Sequence, residues 1–154
     1  MADIAPIPEN YPRVVPYLTV DGAADAIAFY EKVLGATTQV RMDGPGGKIA
    51  HAELGIGDAV VMLADAFDDM GGRSPKSIGG TPVTLMVYVE DVDACFARAL
   101  DNGATETRKV EDQFYGDRAG QFEDPFGHLW HVASHVEDVP PEEMEKRAAA
   151  MMAG

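Results

Sequence analysis

The first apolar segment of the chain, RVVPYLTV (13–20), is rich in β-branched and aromatic residues between Pro12 and Asp21, which predicts a strand. Downstream, Ile27, Tyr30, Val33 and Leu34 recur at the spacing of an amphipathic helix. Asp21 is placed to cap its start and Gly35 to close it in a left-handed turn. The period then shortens to two. ATTQVRMD (36–43), KIAHAELGI (48–56) and AVVMLADA (59–66) read as three strands, parted by the turn DGPGG and by a hairpin at Gly57-Asp58. A turn centred near 56–57 sets His51 opposite Met62. Alternation sends Ala50, Ala52, Leu54 and Ile56 toward the helix and leaves His51 and Glu53 on the other face.

The same order returns further along. VYVEDVDACFARALDNGA (87–104) repeats LTVDGAADAIAFYEKVLGA (18–36) with one residue fewer, and FEDPFGHLWHVA (122–133) echoes ELGIGDAVVMLA (53–64). A shift of 69 residues places Val15 on Thr84, Val20 on Val89, His51 on Gly120 and Met62 on His131. One shift that fits both ends of the unit indicates a tandem duplication. The second copy should carry strands near 81–90, 105–113, 117–124 and 128–135, with a helix near 91–102. Residues 1–154 therefore read as a single domain built from two βαβββ modules, 11–66 and 81–135. FDDMGGRSPKSIGG (67–80) lacks periodicity and reads as a linker loop, and PPEEMEKRAAAMMA begins a short C-terminal helix over 140–153.

Composition narrows the function classes. The net charge of −14 argues against nucleic acid, which needs clustered Lys and Arg, and is compatible with cationic ligands. No apolar run approaches the length of a membrane span, so no membrane partner is expected. The opening MADIAPIPENYPRV has neither the basic start nor the apolar centre of a secretory signal, and the single cysteine, Cys95, allows no internal disulfide. A cytoplasmic location is the expectation.

The paired units, the helix end FYEKVLGA and the turn EDPFGHLW resemble the vicinal oxygen chelate superfamily, which holds glyoxalase I, bleomycin-resistance proteins and extradiol dioxygenases. SPKSIGG, VEDQFYGDRAG and VPPEEM look like its poorly characterised, phosphonate-operon-associated glyoxalase-like branch. The resemblance covers about residues 11–135 and implies an α+β fold: two tandem βαβββ modules whose curved sheets enclose a shared cavity, plus the C-terminal helix. It also implies a homodimer. In metal-dependent members, the first and last strands of each copy supply the ligands of a divalent metal. Those slots fall here on Val15, Met62, Thr84 and His131. Only His131 is an ordinary ligand for a hard or borderline metal, so no metal cofactor is expected.

His128, His131 and His135 do not rescue a metal site on a strand. His128 points away from the other two, and His131 and His135 stand roughly 13 Å apart at about 3.3 Å per residue. His128 and His135 are expected at strand ends. A metal stays possible only if His51, Glu53 and His131 converge. The expected ligand wall instead holds Tyr17, Met62, Thr84, Met86, Tyr88 and His131, with Tyr115 and Arg118 near its mouth. That mixture of apolar surface and a few polar points suits a small organic molecule. The expected function is metal-free binding, as in sequestration of a drug or metabolite. The alternative is a metal-dependent lyase, isomerase or dioxygenase acting on a small carbonyl or enediol, with His131 or His51 as general base.

Overall fold

The computed structural model describes residues 3–154, which divide into two compact units at Gly80/Thr81. In the first, β1 (Tyr17–Val20) leads into α1 (Ala23–Leu34), then β2 (Thr37–Asp43), β3 (Ile49–Ile56) and β4 (Ala59–Asp65). The sheet order is β1-β4-β3-β2, with β1 parallel to β4 and the other pairs antiparallel. The second unit repeats this with β5 (Thr84–Tyr88), α3 (Val92–Asp101), β6 (Thr105–Asp112), β7 (Asp117–Glu123) and β8 (Leu129–His135), in the order β5-β8-β7-β6. The chain ends in α4 (Pro141–Ala153). The α+β class, the two βαβββ units and the C-terminal helix are as the sequence reading has them. No helix among the described residues is long and apolar enough to cross a membrane.

Alternation decides which face of each sheet is covered. In the first unit Leu18, Val20, Ala52, Leu54 and Leu63 are buried together with Ile27, Tyr30 and Val33 of α1, which touches β2, β3 and β4. In the second, Trp130, Val132 and Phe122 are buried with Val92, Cys95, Phe96 and Ala99 of α3. The side chains between them in sequence face away from the helix.

Four sequence expectations change in detail. β1 starts at Tyr17 rather than at 13, because Pro16 has no N–H to donate to a ladder, although its carbonyl still accepts from Met62 N at 2.9 Å. Asp21 does not cap α1. The cap position is Gly22, in a left-handed conformation, and Asp65 Oδ1 accepts the Gly22 and Ala23 amides at 2.8 and 2.9 Å. The other Asp65 oxygen takes the Ile49 amide at 2.8 Å, so one carboxylate ties the helix start to β3 and β4. The hairpin turns at Gly57-Asp58 as expected, but that turn pairs Glu53, not His51, with Met62. Because Gln121 pairs with His131 in the second unit, the repeat shift is 69 on β4/β8 but 68 on β3/β7. The longer DPFG turn holds the extra residue, and His51 corresponds to Ala119 rather than Gly120.

The 67–80 connection is also more ordered than a bare linker. Ser74 is fully buried, caps the single-turn α2 (Pro75–Ile78) through Ser77 N at 3.2 Å, and donates to Asp21 Oδ2 at 2.7 Å.

The DPFG turn is organised by Asp124, which is buried. Its Oδ1 accepts the amides of Phe126 and His128 at 2.9 and 3.0 Å, and its Oδ2 accepts Trp130 Nε1 at 2.9 Å. Truncation would leave buried donors without an acceptor, the expensive case for hydrogen bonds. Asp124→Ala is expected to lower unfolding free energy by about 3 kcal/mol. Urea unfolding should show a lower midpoint at unchanged slope, and a loss below about 0.5 kcal/mol would contradict this role.

Candidate functional site

The helix-free face of the first sheet carries three polar positions, Tyr17, His51 and Glu53, set among apolar ones. Tyr17, Met62, Glu53 and Val40 form one row across β1, β4, β3 and β2, with Tyr17 paired to Met62, Met62 to Glu53, and Glu53 to Val40. His51 pairs with Met42 in the adjacent row. Tyr17 and His51 reach toward one another past Met62, with ring centroids 5.5 Å apart.

Four side chains on this face are hydrogen-bonded in series. Tyr17 Oη lies 2.8 Å from His51 Nδ1, and His51 Nε2 lies 2.7 Å from Glu53 Oε2. Tyr11, from the segment before β1, donates to Glu53 Oε1 at 2.5 Å. A carboxylate only accepts, so His51 presents Nε2–H to Glu53 and its Nδ1 lone pair accepts the Tyr17 hydroxyl. The His51 hydrogen bond, then the Tyr11 hydrogen bond, hold the Glu53 carboxyl below its usual range, against the opposing effect of burial. Tyr17 moves the other way: burial and the nearby Glu53 charge raise its phenol. Glu53 is 8% exposed whereas Tyr17 is 52% exposed, so the chain runs from a buried acid to a half-exposed tyrosine.

The corresponding face of the second unit differs. The row that matches Tyr17–Met62–Glu53–Val40 is Met86–His131–Gln121–Arg108. Its neighbours include Thr84 beside Leu129 and Tyr88 beside Ala133. Polar clustering lies instead at the far end of β8. Asp117, 3% exposed, accepts Tyr88 Oη at 2.9 Å and faces His135 Nδ1 at 2.8 Å. The other His135 nitrogen lies 2.7 Å from Asp138 Oδ1. His135 thus joins β7, β8 and the segment leading to α4, a larger part than the end-of-strand position expected for it.

Of the expected ligand-wall residues, Tyr17, Met62, Thr84, Met86, Tyr88 and His131 all stand on helix-free faces, Tyr17 and Met62 in the first unit and the others in the second. His51 lies with the first group. Tyr115 occupies the β6–β7 turn, edge-on to Phe114 at 5.3 Å. Arg118 is elsewhere. It pairs with Ser134 on the helix side of β7, and its guanidinium grips Asp93 of α3 at 2.8 and 3.0 Å and Asp112 at 3.2 Å. Those ion pairs push its already high pKa further up and occupy the fork that an anionic ligand would need. Tyr11, Asp117 and His135 were missed by sequence reasoning. Strand parity would place Asp117 on the His131 face once the register is known, whereas Tyr11 carries no periodic signal.

The four metal slots fit a divalent cation poorly. Val15 has no donor atom and precedes β1, Met62 offers a thioether, and Thr84 a neutral hydroxyl. Only His131 is an ordinary ligand. His51 and Glu53 are joined to each other at 2.7 Å, and no group of three or more His, Cys, Asp or Glu among the described residues is arranged to hold a metal ion.

The His135 contacts set a pH dependence. Both ring nitrogens face carboxylate oxygens, so only the imidazolium satisfies both. The hydrogen bonds to Asp117 and then Asp138 raise its pKa above the ordinary histidine value, against desolvation. A raised folded-state pKa gives stability that is complete below the unfolded value and lost as pH rises through the folded one. The melting temperature of the protein should exceed that of His135→Gln most near about pH 5.5, with the gap closing toward about pH 9. A gap that is flat or widens with pH would contradict this arrangement, in which Asp117, Asp138 and Tyr88 are the facing groups.

With this geometry in hand, the likeness to known proteins is informative. Residues 12–132 match the Glyoxalase/Bleomycin resistance protein/Dioxygenase superfamily. An uncharacterized protein of Mycobacterium tuberculosis is 48% identical over 137 residues, which is 87% of this chain and 81% of that protein. Among solved structures, TioX from Micromonospora sp. ML1 is 28% identical, with TM-score 0.61 over 81% of this chain and 99% of that one. A gene product of Arabidopsis thaliana is 26% identical, with TM-score 0.63 over 80% and 98%. The fosfomycin resistance protein FosX from Listeria monocytogenes, complexed with Mn(II) and sulfate, shares the fold at 16% identity, with TM-score 0.63 over 89% and 97%. The tandem units and the match across nearly the whole chain lead to one conclusion: the chain belongs to the glyoxalase/bleomycin resistance protein/dioxygenase superfamily.

Proposed function

We propose that this protein binds a small organic molecule, cationic by preference, without a resident metal ion, and so sequesters a drug or metabolite in the cytoplasm. The observation that carries this reading is the helix-free face of the first sheet. There the accessible ring of Tyr17, beside Met62, is backed by the Glu53 carboxylate through His51, which Met42 neighbours on its other side. An aromatic face with a buried anion behind it attracts a cation bearing an apolar body. The net charge of −14 favours the same ligand sign at long range. The donor set at the four slots supports a metal-free site, because three of the four positions lack a good ligand.

Within the superfamily, SPKSIGG, VEDQFYGDRAG and VPPEEM support the phosphonate-operon-associated branch, and the resemblance makes a homodimer the expected assembly. Lyase, isomerase or dioxygenase chemistry on a small carbonyl or enediol is the reading that a metal would bring back, with His131 as its one surviving ligand.

Two measurements test the proposal. Elemental analysis of protein purified without chelators should give far less than one Ni, Zn, Fe or Mn per chain. Calorimetric titration with metal-free bleomycin and with ethidium, both cationic with aromatic parts, should give saturable heat for at least one. Tyr17→Ala should weaken that binding about tenfold, or about 1.4 kcal/mol. A stoichiometric metal, or no saturable heat with either compound, would overturn the proposal.

A further inference from the structure

The order of hydrogen bonds on the first sheet does more than a passive wall requires. Each link has a defined direction. Tyr11 and His51 occupy the two oxygens of Glu53, so that carboxylate is fixed in place and keeps its charge. The fixed carboxylate holds His51 in the tautomer whose Nδ1 lone pair points at Tyr17 Oη, 2.8 Å away. Tyr17 therefore has its proton directed at a base, and the residue itself is half-exposed. A hydroxyl, a histidine that can take its proton, and a carboxylate that orients the histidine form the general pattern of an activated hydroxyl. Here the carboxylate has its own anchor in Tyr11.

We propose that Tyr17, His51 and Glu53 form a metal-independent proton relay, in which Tyr17 Oη takes a proton from a bound protonated amine. The inference rests on the cation-binding reading for its substrate class but not for the relay itself. The step balances without a further reactant. An ammonium N–H bond breaks as a new O–H bond forms at Tyr17, and the Tyr17 proton passes to His51 Nδ1. The ligand leaves the step as a neutral amine with a free lone pair, and the positive charge moves to the His51 imidazolium beside Glu53. The same path in reverse returns the proton. Tyr17 is the residue that touches the ligand, whereas His51 and Glu53 act through it and Tyr11 positions Glu53. The position of Tyr17 in the second copy is held by Met86, and that of Glu53 by Gln121, so the relay belongs to the first unit alone.

Tyrosine labelling tests this without knowledge of the natural ligand. Aminoethylbenzenesulfonyl fluoride carries an ammonium group, and benzenesulfonyl fluoride is its neutral counterpart. In the reaction Tyr17 Oη forms an O–S bond, the S–F bond breaks, fluoride leaves, and the phenol proton goes to His51. Tyr88 is the internal control, since it is more accessible, at 61% against 52% for Tyr17, but donates to a carboxylate and has no such base. Mass spectrometry of the intact protein's peptides should show both reagents modifying Tyr17 on the order of tenfold or more faster than Tyr88. His51→Ala should remove that advantage, and added imidazole should restore it. Glu53→Gln should reduce it and Glu53→Asp retain part of it, with Tyr88 labelling unchanged throughout. Equal rates at Tyr17 and Tyr88, no effect of His51→Ala, or no rescue by imidazole would overturn the relay. A faster reaction of Tyr17 with the cationic reagent than with the neutral one supports the amine as substrate. Equal rates with the two reagents would overturn that substrate class while leaving the relay standing.

Discussion

One geometric constraint governs this protein: each four-stranded sheet is covered by one long helix, and a helix can cover only one face. The period-two alternation of the strands then sorts every side chain into one of two classes. Leu18, Val20, Leu54 and Leu63 go under α1, while Tyr17, His51, Glu53 and Met62 go to the other side. The helix position is itself fixed by residues at the end of the last strand of each unit. Asp65 accepts the first amides of α1, and Ser134, its counterpart at the 69-residue shift, accepts Val92 N at 3.0 Å and donates to Val89 O at 2.7 Å. An acidic side chain suits the first case because it also reaches the Ile49 amide. The smaller serine serves where α3 has its own cap in Asp91.

A chain this acidic must either solvate its carboxylates or satisfy them internally, since an unpaired buried charge is costly. Glu53, Asp65, Asp117 and Asp124 are the buried acids, and each accepts at least two hydrogen bonds. Their partners separate two uses. Asp65 and Asp124 bind backbone amides and a tryptophan N–H, groups too weakly acidic to pass a proton, and so serve the fold. Glu53 and Asp117 instead face tyrosine hydroxyls and histidine rings, groups that can pass protons. The same carboxylate chemistry holds backbone amides in one case and titratable side chains in the other, and the nature of the donor decides which.

Periodicity carried most of the fold in the sequence. Apart from β5, which is three residues shorter at its start than expected, the helices and the strands after β1 fall within a residue or two of their expected bounds, because alternation and glycine turns are local signals. What was not legible depended on distant partners. Asp21 looks like a helix cap locally, but a tertiary carboxylate, Asp65, does that work and frees Asp21 for Ser74. Arg118 looks like an anion site in isolation, yet the acids that consume it lie 25 residues before it on α3 and six before it on β6. The single 69-residue shift hid a change to 68 on β3/β7, since one residue added in a turn moves register without disturbing the hydrophobic pattern. Tyr11 is the limiting case: it lies outside every element, and only the folded chain brings it to Glu53.

The duplication offers a way to separate scaffold from chemistry. At helix-side positions the copies agree in kind: Leu63 and Val132 are both buried aliphatics, and Ile27 of α1 and Phe96 of α3 are both buried large apolar residues. Ala52 becomes Gly120 because a Cβ there would stand 2.7 Å from Val110 and 3.0 Å from Phe96, so even this change answers to packing. On the helix-free faces no such rule survives. Tyr17, Glu53 and Val40 are replaced by Met86, Gln121 and Arg108, changes of charge and of hydrogen-bonding role that packing against a helix would not require. The second copy instead builds its Tyr–Asp–His cluster nearer the far end of β8, with its tyrosine two residues beyond Met86 and its acid, Asp117, four residues before Gln121. Two copies that keep the covered face and diverge on the uncovered one are what results when the covered face alone is constrained by folding. The uncovered faces are then free to answer to whatever they touch.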